Sequence, residues 1–204
     1  MANDRVKTPK ARVSFPSLFK AKAYDEGKEP KFEADLIFPK SADLKALKVM
    51  CATALREKFG PDAMNLTESE NGVAKPGSKG KLWWPIRDGA EKTDKDGKAR
   101  DGYGPDTVYI KVSSKNKPGI VDQNADRITD AGDMYGGCYA IAYVNAYTYD
   151  NKTRGVSIGL QTMQKVAEGE PFGSRSNPED DFEPITEDDF DKVEDGAEPE
   201  SVFS

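Results

Sequence analysis

A mainly β fold, one small closed sheet with a single helix and a polar C-terminal tail, is what this 204-residue chain predicts. Three observations lead there. Short runs of alternating apolar and polar residues recur between turn signals, with the period of two that half-buried strands require. Only one segment carries apolar residues at helical spacing. After Val166 the apolar periodicity ends, and the chain becomes rich in Glu, Asp, Pro, Gly and Ser.

The elements follow in order. Ala11-Arg12-Val13-Ser14-Phe15 alternates and predicts a strand that stops near Pro16. Asp25 to Pro30 reads as a turn, and Phe32 to Phe38 as a second strand closed by Pro39. Ser41 is expected to cap a helix over about residues 41–59, with Asp43 in its first turn near the positive end of the dipole. Leu44, Leu47, Cys51, Ala54 and Leu55 make its apolar face, and Gly60-Pro61 stops it. Leu82-Trp83-Trp84-Pro85-Ile86 is a short strand. Arg87 to Pro105 is a long charged loop, and loops of that length are usually functional or mobile.

Thr107 to Ser113 alternates cleanly, with Val108, Ile110 and Val112 on one face and Tyr109 and Lys111 on the other. The run from Met134 to Tyr149 divides in the same way. Cys138, Ala140, Ala142, Val144 and Ala146 share one face; Tyr139, Ile141, Tyr143, Asn145, Tyr147 and Tyr149 share the other. Asp150 to Gly155 predicts a hairpin loop. The return strand then places Val156, Ile158, Leu160 and Thr162 together, opposite Ser157, Gly159, Gln161 and Met163. Roughly six strands and one helix fit an OB-fold-like barrel, a five-stranded architecture used for oligonucleotides. An SH3-like barrel or an open sandwich would share the pattern. The expected division is a domain over 1–167 and a disordered acidic tail over 168–204, because the tail has too little apolar surface to offset chain entropy.

Composition narrows the chemistry. The chain has no histidine, which removes Ser-His-Asp and Cys-His mechanisms and the commonest metal ligand. The cysteines, Cys51 and Cys138, are far apart in apolar patterns and read as small buried thiols. Asp122 to Asp126 opens like a calcium loop, but Arg127 stands where that loop needs glycine. No Walker-type or dinucleotide-type glycine loop is present. The expectation is a protein without catalytic residues, metal or cofactor. No stretch nears the roughly 18–20 apolar residues of a membrane helix, and the first residues lack a signal core, so a cytoplasmic protein is expected.

The formal net charge of −6 hides a division. From Glu168 to Ser204 there are 14 acidic and 2 basic residues, a net −12; the remainder, with 28 basic and 22 acidic, is +6. A basic body with an acidic tail points to a nucleic-acid partner for the body and protein partners for the tail.

Binding single strands without sequence preference takes cations that track phosphates and aromatic rings that stack on bases. Tyr139, Tyr143 and Tyr147 suit stacking if the alanine face lies inside; the opposite arrangement, with the tyrosines in the core, stays open. Trp83 and Trp84 are also candidates, pointing in opposite directions if extended. Lys81, Arg87, Lys111, Lys115, Lys117, Lys152 and Arg154 are the candidate phosphate contacts, and Tyr109 with Lys111 is the favoured pair. In the tail, Phe172, Phe182, Phe190 and Phe203 interrupt acidic runs, and Asp188-Asp189-Phe190 with Phe203 are the candidate partner contacts.

Three groups of residues carry a family resemblance. The first is Trp84-Pro85-Ile86-Arg87-Asp88-Gly89 followed by Gly102-Tyr103. The second is Ile128-Thr129-Asp130 with Met134-Tyr135-Gly136-Gly137-Cys138-Tyr139. The third is Gly155-Val156-Ser157-Ile158-Gly159-Leu160 with Gln164-Lys165-Val166 and Gly169-Glu170. From about Val13 to Gly173 the chain resembles the single-stranded DNA-binding proteins of tailed phages and prophages, once grouped as a family of unknown function. The resemblance implies an OB-fold, sequence-independent binding of single-stranded DNA, and work in phage replication or recombination in the bacterial host. Distantly similar phage proteins end in an acidic tail with a terminal aromatic; here the last residue is Ser204 and the aromatic is Phe203. Other readings are a strand-annealing recombination mediator, a protein-interaction module without DNA affinity and, least favoured, a carboxylate-metal nuclease.

Overall fold

The computed structural model describes residues 5–23 and 29–173. Ten strands and one α-helix lie among them: β1 (Val6–Lys7), β2 (Ala11–Lys22), β3 (Lys31–Pro39), α1 (Lys45–Phe59), β4 (Ser69–Glu70), β5 (Val73–Ala74), β6 (Ile86–Asp88), β7 (Thr107–Ser114), β8 (Gly119–Val121), β9 (Tyr139–Asp150) and β10 (Arg154–Ala167). The fold is mainly β, as the alternation predicts. The expected tail contacts Asp188, Asp189, Phe190 and Phe203 lie outside the described residues, as does most of the turn expected near residues 25–30.

Five strands close into a ring. β2 pairs β3 and β9, β3 pairs β7, and β9 pairs β10, all antiparallel. The parallel contact of β10 with β7, Ile158 opposite Val112, completes the circuit. Closure removes the free edges that would otherwise template aggregation. The inside is filled by the expected alternating residues. Val13, Leu36, Phe38, Val108, Ile110, Val112, Ala140, Ala142, Val144, Val156 and Ile158 are all buried in one cluster. The small alanines of β9 face inward, so its tyrosines point out.

Helix α1 packs on β9 and β10 and buries Leu47, Cys51 and Leu55, with Leu44 beside them. Burial pushes the Cys51 thiol up to about 12 and the Cys138 thiol up to about 11. Both cysteines are free and buried.

The structure corrects several expectations. The helix begins at Lys45, four residues later than predicted, and Ser41 does not cap it. The cap position is Leu44, which has no side-chain cap, and Asp43 lies before it and not in the first turn, its Oδ1 accepting from the Lys45 N–H at 2.9 Å. β2 does not stop at Pro16; it runs on to Lys22 through a register shift between Ser14 and Ser17. Proline is tolerated there because an irregularity needs no ladder donor. On β10 a second shift falls between Leu160 and Thr162. It turns Thr162 outward and Met163 inward, reversing the faces expected for that half of the strand. The chain after residue 167 also does not leave the body at once. Residues up to Phe172 belong to the compact unit, held by Arg12 Nη2 on the Glu170 carbonyl at 2.7 Å and by the Phe172 N–H on the Gly136 carbonyl at 2.8 Å.

Candidate nucleic-acid interface

The outward residues of the barrel strands share one continuous surface. The register sets Asp35 of β3 beside Lys111 of β7, and Ser157 of β10 beside Tyr147 of β9, with the Tyr147 hydroxyl 3.5 Å from that of Ser113 on β7. Ile37 of β3, Tyr109 of β7 and Arg87 of β6 form a lateral row. The loop from residue 89 to 105 lies over that row. With it, Ile37, Tyr103 and Tyr109 make a small apolar cluster outside the barrel, and Phe172 packs against them.

A cleft of about 380 Å³ opens beside this cluster, lined by Phe15, Ser17, Lys22, Lys92, Arg100 and Lys111, with Glu33 and Asp35 in its floor. Phe15 is its most exposed ring, 47% accessible. Its φ of 47° places a bulky residue in the left-handed region, where strain of this kind persists only if the surroundings enforce it. The register shift in β2 is what throws the ring outward. Phe15 stacks on Tyr103 at 6.3 Å between centroids. Lys92 Nζ stands 5.5 Å from the Phe15 ring, 5.7 Å from Tyr103 and 5.0 Å from Tyr109, and the Arg100 guanidinium lies 5.5 Å from Phe15.

Buried acids hold this group together. Asp35 accepts from Lys92 at 2.7 Å and from the Tyr103 hydroxyl at 2.9 Å. Glu91 accepts from both Nε and Nη2 of Arg87 and from the Tyr109 hydroxyl. Burial first, and then the neighbouring carboxylates, raise both phenols well above the ordinary tyrosine range, so each stays a donor. Burial disfavours the Arg87 charge, but Glu91 outweighs it and holds the guanidinium above its ordinary value. Glu33 pairs with Lys111 at 2.8 Å.

The line of cations and rings continues across β2 to β9. The Arg12 guanidinium lies 4.4 Å from the Phe172 ring and 5.9 Å from Tyr139, and Lys10 Nζ lies 5.1 Å from Tyr139. Around the barrel in the other direction stand Tyr143 and Tyr147, 44% and 37% exposed, the latter 3.5 Å from the Ser113 hydroxyl. Lys115, paired with Glu29 at 2.6 Å, and Lys117, 5.6 Å from the Phe19 ring, lie in or after β7. Lys152 and Arg154 are exposed at the β9–β10 hairpin. Trp83 sits beside that hairpin because Gly155 leaves room: a Cβ there would fall 2.6 Å from the Trp83 backbone. Trp83 N–H donates to the Arg154 carbonyl at 2.8 Å.

Some sequence candidates change place. Trp83 is exposed, with the Arg87 guanidinium 4.3 Å from its ring, whereas Trp84 is 1% exposed and donates to the Gly72 carbonyl at 3.0 Å. Trp84 is therefore core and not a contact. Arg87 and Tyr109 are buried by the 89–105 loop and bonded to Glu91, so they support the surface from beneath. Lys81, Lys111, Lys115, Lys117, Lys152 and Arg154 reach solvent, as do Tyr143 and Tyr147, while Tyr139 is half-buried. Sequence reasoning missed Phe15, Arg12, Lys10 and Arg100 as members of the surface, and Tyr103 as a buried support beneath it. Its one usable signal for Phe15 was the proline after it, which breaks the alternation.

Comparison with known proteins gives a family and a fold. A family model described as Enterobacter phage Enc34, ssDNA-binding protein, matches residues 4–193. Putative protein p50 of Acyrthosiphon pisum secondary endosymbiont phage 1 is 29% identical over 171 residues, 82% of this chain and 86% of that protein. Among solved structures, the single-stranded DNA-binding protein from bacteriophage Enc34 in complex with ssDNA has a TM-score of 0.63 at 19% identity, covering 84% of this chain and 91% of that one. The single-stranded DNA-binding protein gp2.5 of bacteriophage T7 has a TM-score of 0.53 at 15% identity, covering 100% of each chain. At these identities the two structures establish likeness of fold.

Proposed function

This chain belongs to the family described as Enterobacter phage Enc34, ssDNA-binding protein, and on that premise we propose that it binds single-stranded DNA without sequence preference along the outer face of its barrel. The family is one of binding proteins, not enzymes. The reading is carried by one observation: a chain of cation and ring contacts runs from Lys10 and Tyr139, through Arg12 and Phe172, to the Tyr103–Phe15 pair with its Lys92 and Arg100. Stacking on such rings is tolerant of base identity, because every base has a π-face. Lysine and arginine beside each ring neutralise the phosphate that follows each base. Tyr143, Tyr147, Trp83, Lys115, Lys117, Lys152 and Arg154 extend the path around the barrel.

In this reading the protein coats single strands during phage replication or recombination in the host cytoplasm. The −12 tail, tethered to a +6 body, competes with DNA for the cations and, once displaced, recruits replication or recombination proteins through Asp188, Asp189, Phe190 and Phe203.

The test is a salt titration of binding to fluorescent oligo-dT and to a matched duplex, with the full chain and a chain ending at Gly173. Preferential single-strand binding that weakens steeply with salt is expected, with a log–log slope of about −0.7 per phosphate neutralised. The shortened chain should bind more tightly, most clearly at low salt where screening is weak. Absence of binding by both chains would move the weight to a protein-interaction module. Equal affinities would remove the competition.

A further inference from the structure

The Phe172 ring lies in a slot with unusual walls. The Arg12 guanidinium covers one side at 4.4 Å. Gly102, at φ +80°, lies against the ring so closely that a Cβ there would fall 2.3 Å from its Cζ. Gly136 is beside it, where a Cβ would stand 3.7 Å from the ring. Tyr103, Tyr109 and Ile37 supply the apolar neighbours. The ring thus has the Arg12 guanidinium over it, glycine backbone at its tip and beside it, and apolar side chains around it. Those properties do not select phenylalanine over any other flat aromatic ring.

Its position matters as much as its shape. Arg12 also reaches Tyr139, and Tyr103, which stacks on Phe15, belongs to the cluster Phe172 packs against. A strand following the cations and rings of the outer face would meet this slot between Tyr139 and Phe15.

The residues around it are held unequally. Glu168 and Gly169 are tied to Tyr135, whose hydroxyl lies 2.7 Å from Glu168 Oε2 and 2.8 Å from the Gly169 carbonyl, and Glu168 pairs with Lys165 at 2.6 Å. Phe172 itself is held by its ring and by one backbone hydrogen bond, to Gly136. Its polar ties are fewer than those of residues 168–170.

We propose that the Phe172 slot is a base-stacking subsite, filled by the protein's own ring in the free state and taken over by a nucleobase when single-stranded DNA binds. The inference rests on the single-stranded DNA reading above. It makes Phe172 a competitor internal to the body, separate from the acidic residues that follow it in sequence. Removing the ring removes the fraction of molecules in which the subsite is already occupied, so apparent affinity rises.

The experiment uses the full chain with and without saturating oligo-dT, and follows hydrogen–deuterium exchange at the Phe172 amide. DNA should speed exchange there while slowing it elsewhere on the outer face. Unchanged or slower exchange at Phe172 overturns the proposal. In parallel, Phe172→Ala should bind oligo-dT about three- to tenfold more tightly than the wild-type chain. Equal or weaker binding by a folded Phe172→Ala overturns it too, since the ring would then be a contact or a staple for the loop. If that variant fails to fold, the wild-type exchange measurement decides. Failure of the wild-type chain to bind oligo-dT would instead strike the parent reading, and so the two failures are separable.

Discussion

Two stretches of the same outer face are built differently. Around Phe15 the rings are locked: Tyr103 stacks on Phe15, Lys92 stands over three rings, and Asp35 and Glu91 fasten the group from below. Along β9, Tyr143 and Tyr147 project as exposed rings on a strand whose other side is the barrel interior. The locked stretch needs the loop over residues 89–105 and charges sheltered beneath it to build it. The open stretch needs only alternation. Preorganised groups lose less freedom on binding, so the locked stretch should supply more affinity per ring and should depend more on the integrity of the fold.

The hardest way to break the difference is to remove its central acid. Asp35→Ala would leave Lys92 and the Tyr103 hydroxyl without their shared buried partner. Removing one member of a buried pair costs about 3–5 kcal/mol, and Lys92 is partly exposed, so about 3 kcal/mol is expected. Thermal denaturation should show it as a clear fall in Tm. A variant as stable as wild type would mean that the loop is not fastened by this acid.

A smaller effect tests the two stretches against each other. Phe15→Ala should weaken oligo-dT binding by about tenfold, within the range for losing one stacked base. Tyr147→Ala should weaken it by only about fivefold, the low end of that range, since its ring projects from the strand as an exposed side chain. Anisotropy titrations of both at one salt concentration make the comparison. A larger loss at Tyr147 would reverse the ranking and make β9 the main platform.

The smallest effect concerns acid. Lys165 and then Tyr135 hold the Glu168 carboxyl below its ordinary value. A carboxylate with a lowered folded value stabilises most above its ordinary range, and that contribution is lost as pH falls through the lowered value. From about pH 6 to about pH 3 the amide resonance of Gly169, which donates to the Tyr135 hydroxyl at 3.2 Å, should shift as this anchor loosens. The Tyr143 and Tyr147 resonances should stay where they are. Equal movement at both places would show a general acid transition instead.

Much of this was readable from residue order. Alternation in β7 and β9 determined which side chains fill the barrel, and the single helical period located α1. The split of charge located the basic body. Those features depend on neighbours two to four residues away, so a linear pattern contains them. The rest arose from contacts that no local period encodes. A register shift beside Pro16 sent Phe15 out of the face that its alternation implied, and another past Leu160 exchanged Thr162 for Met163. Arg87 became a buried strut because Glu91 and Tyr109 converged on it, and Trp84, not Trp83, entered the core because the Gly72 carbonyl was there to accept its N–H. The sequence by itself determined the inside of the barrel, where burying apolar surface enforces a period of two. Only the tertiary structure decided the outside, where each side chain's place depends on partners brought from distant parts of the chain.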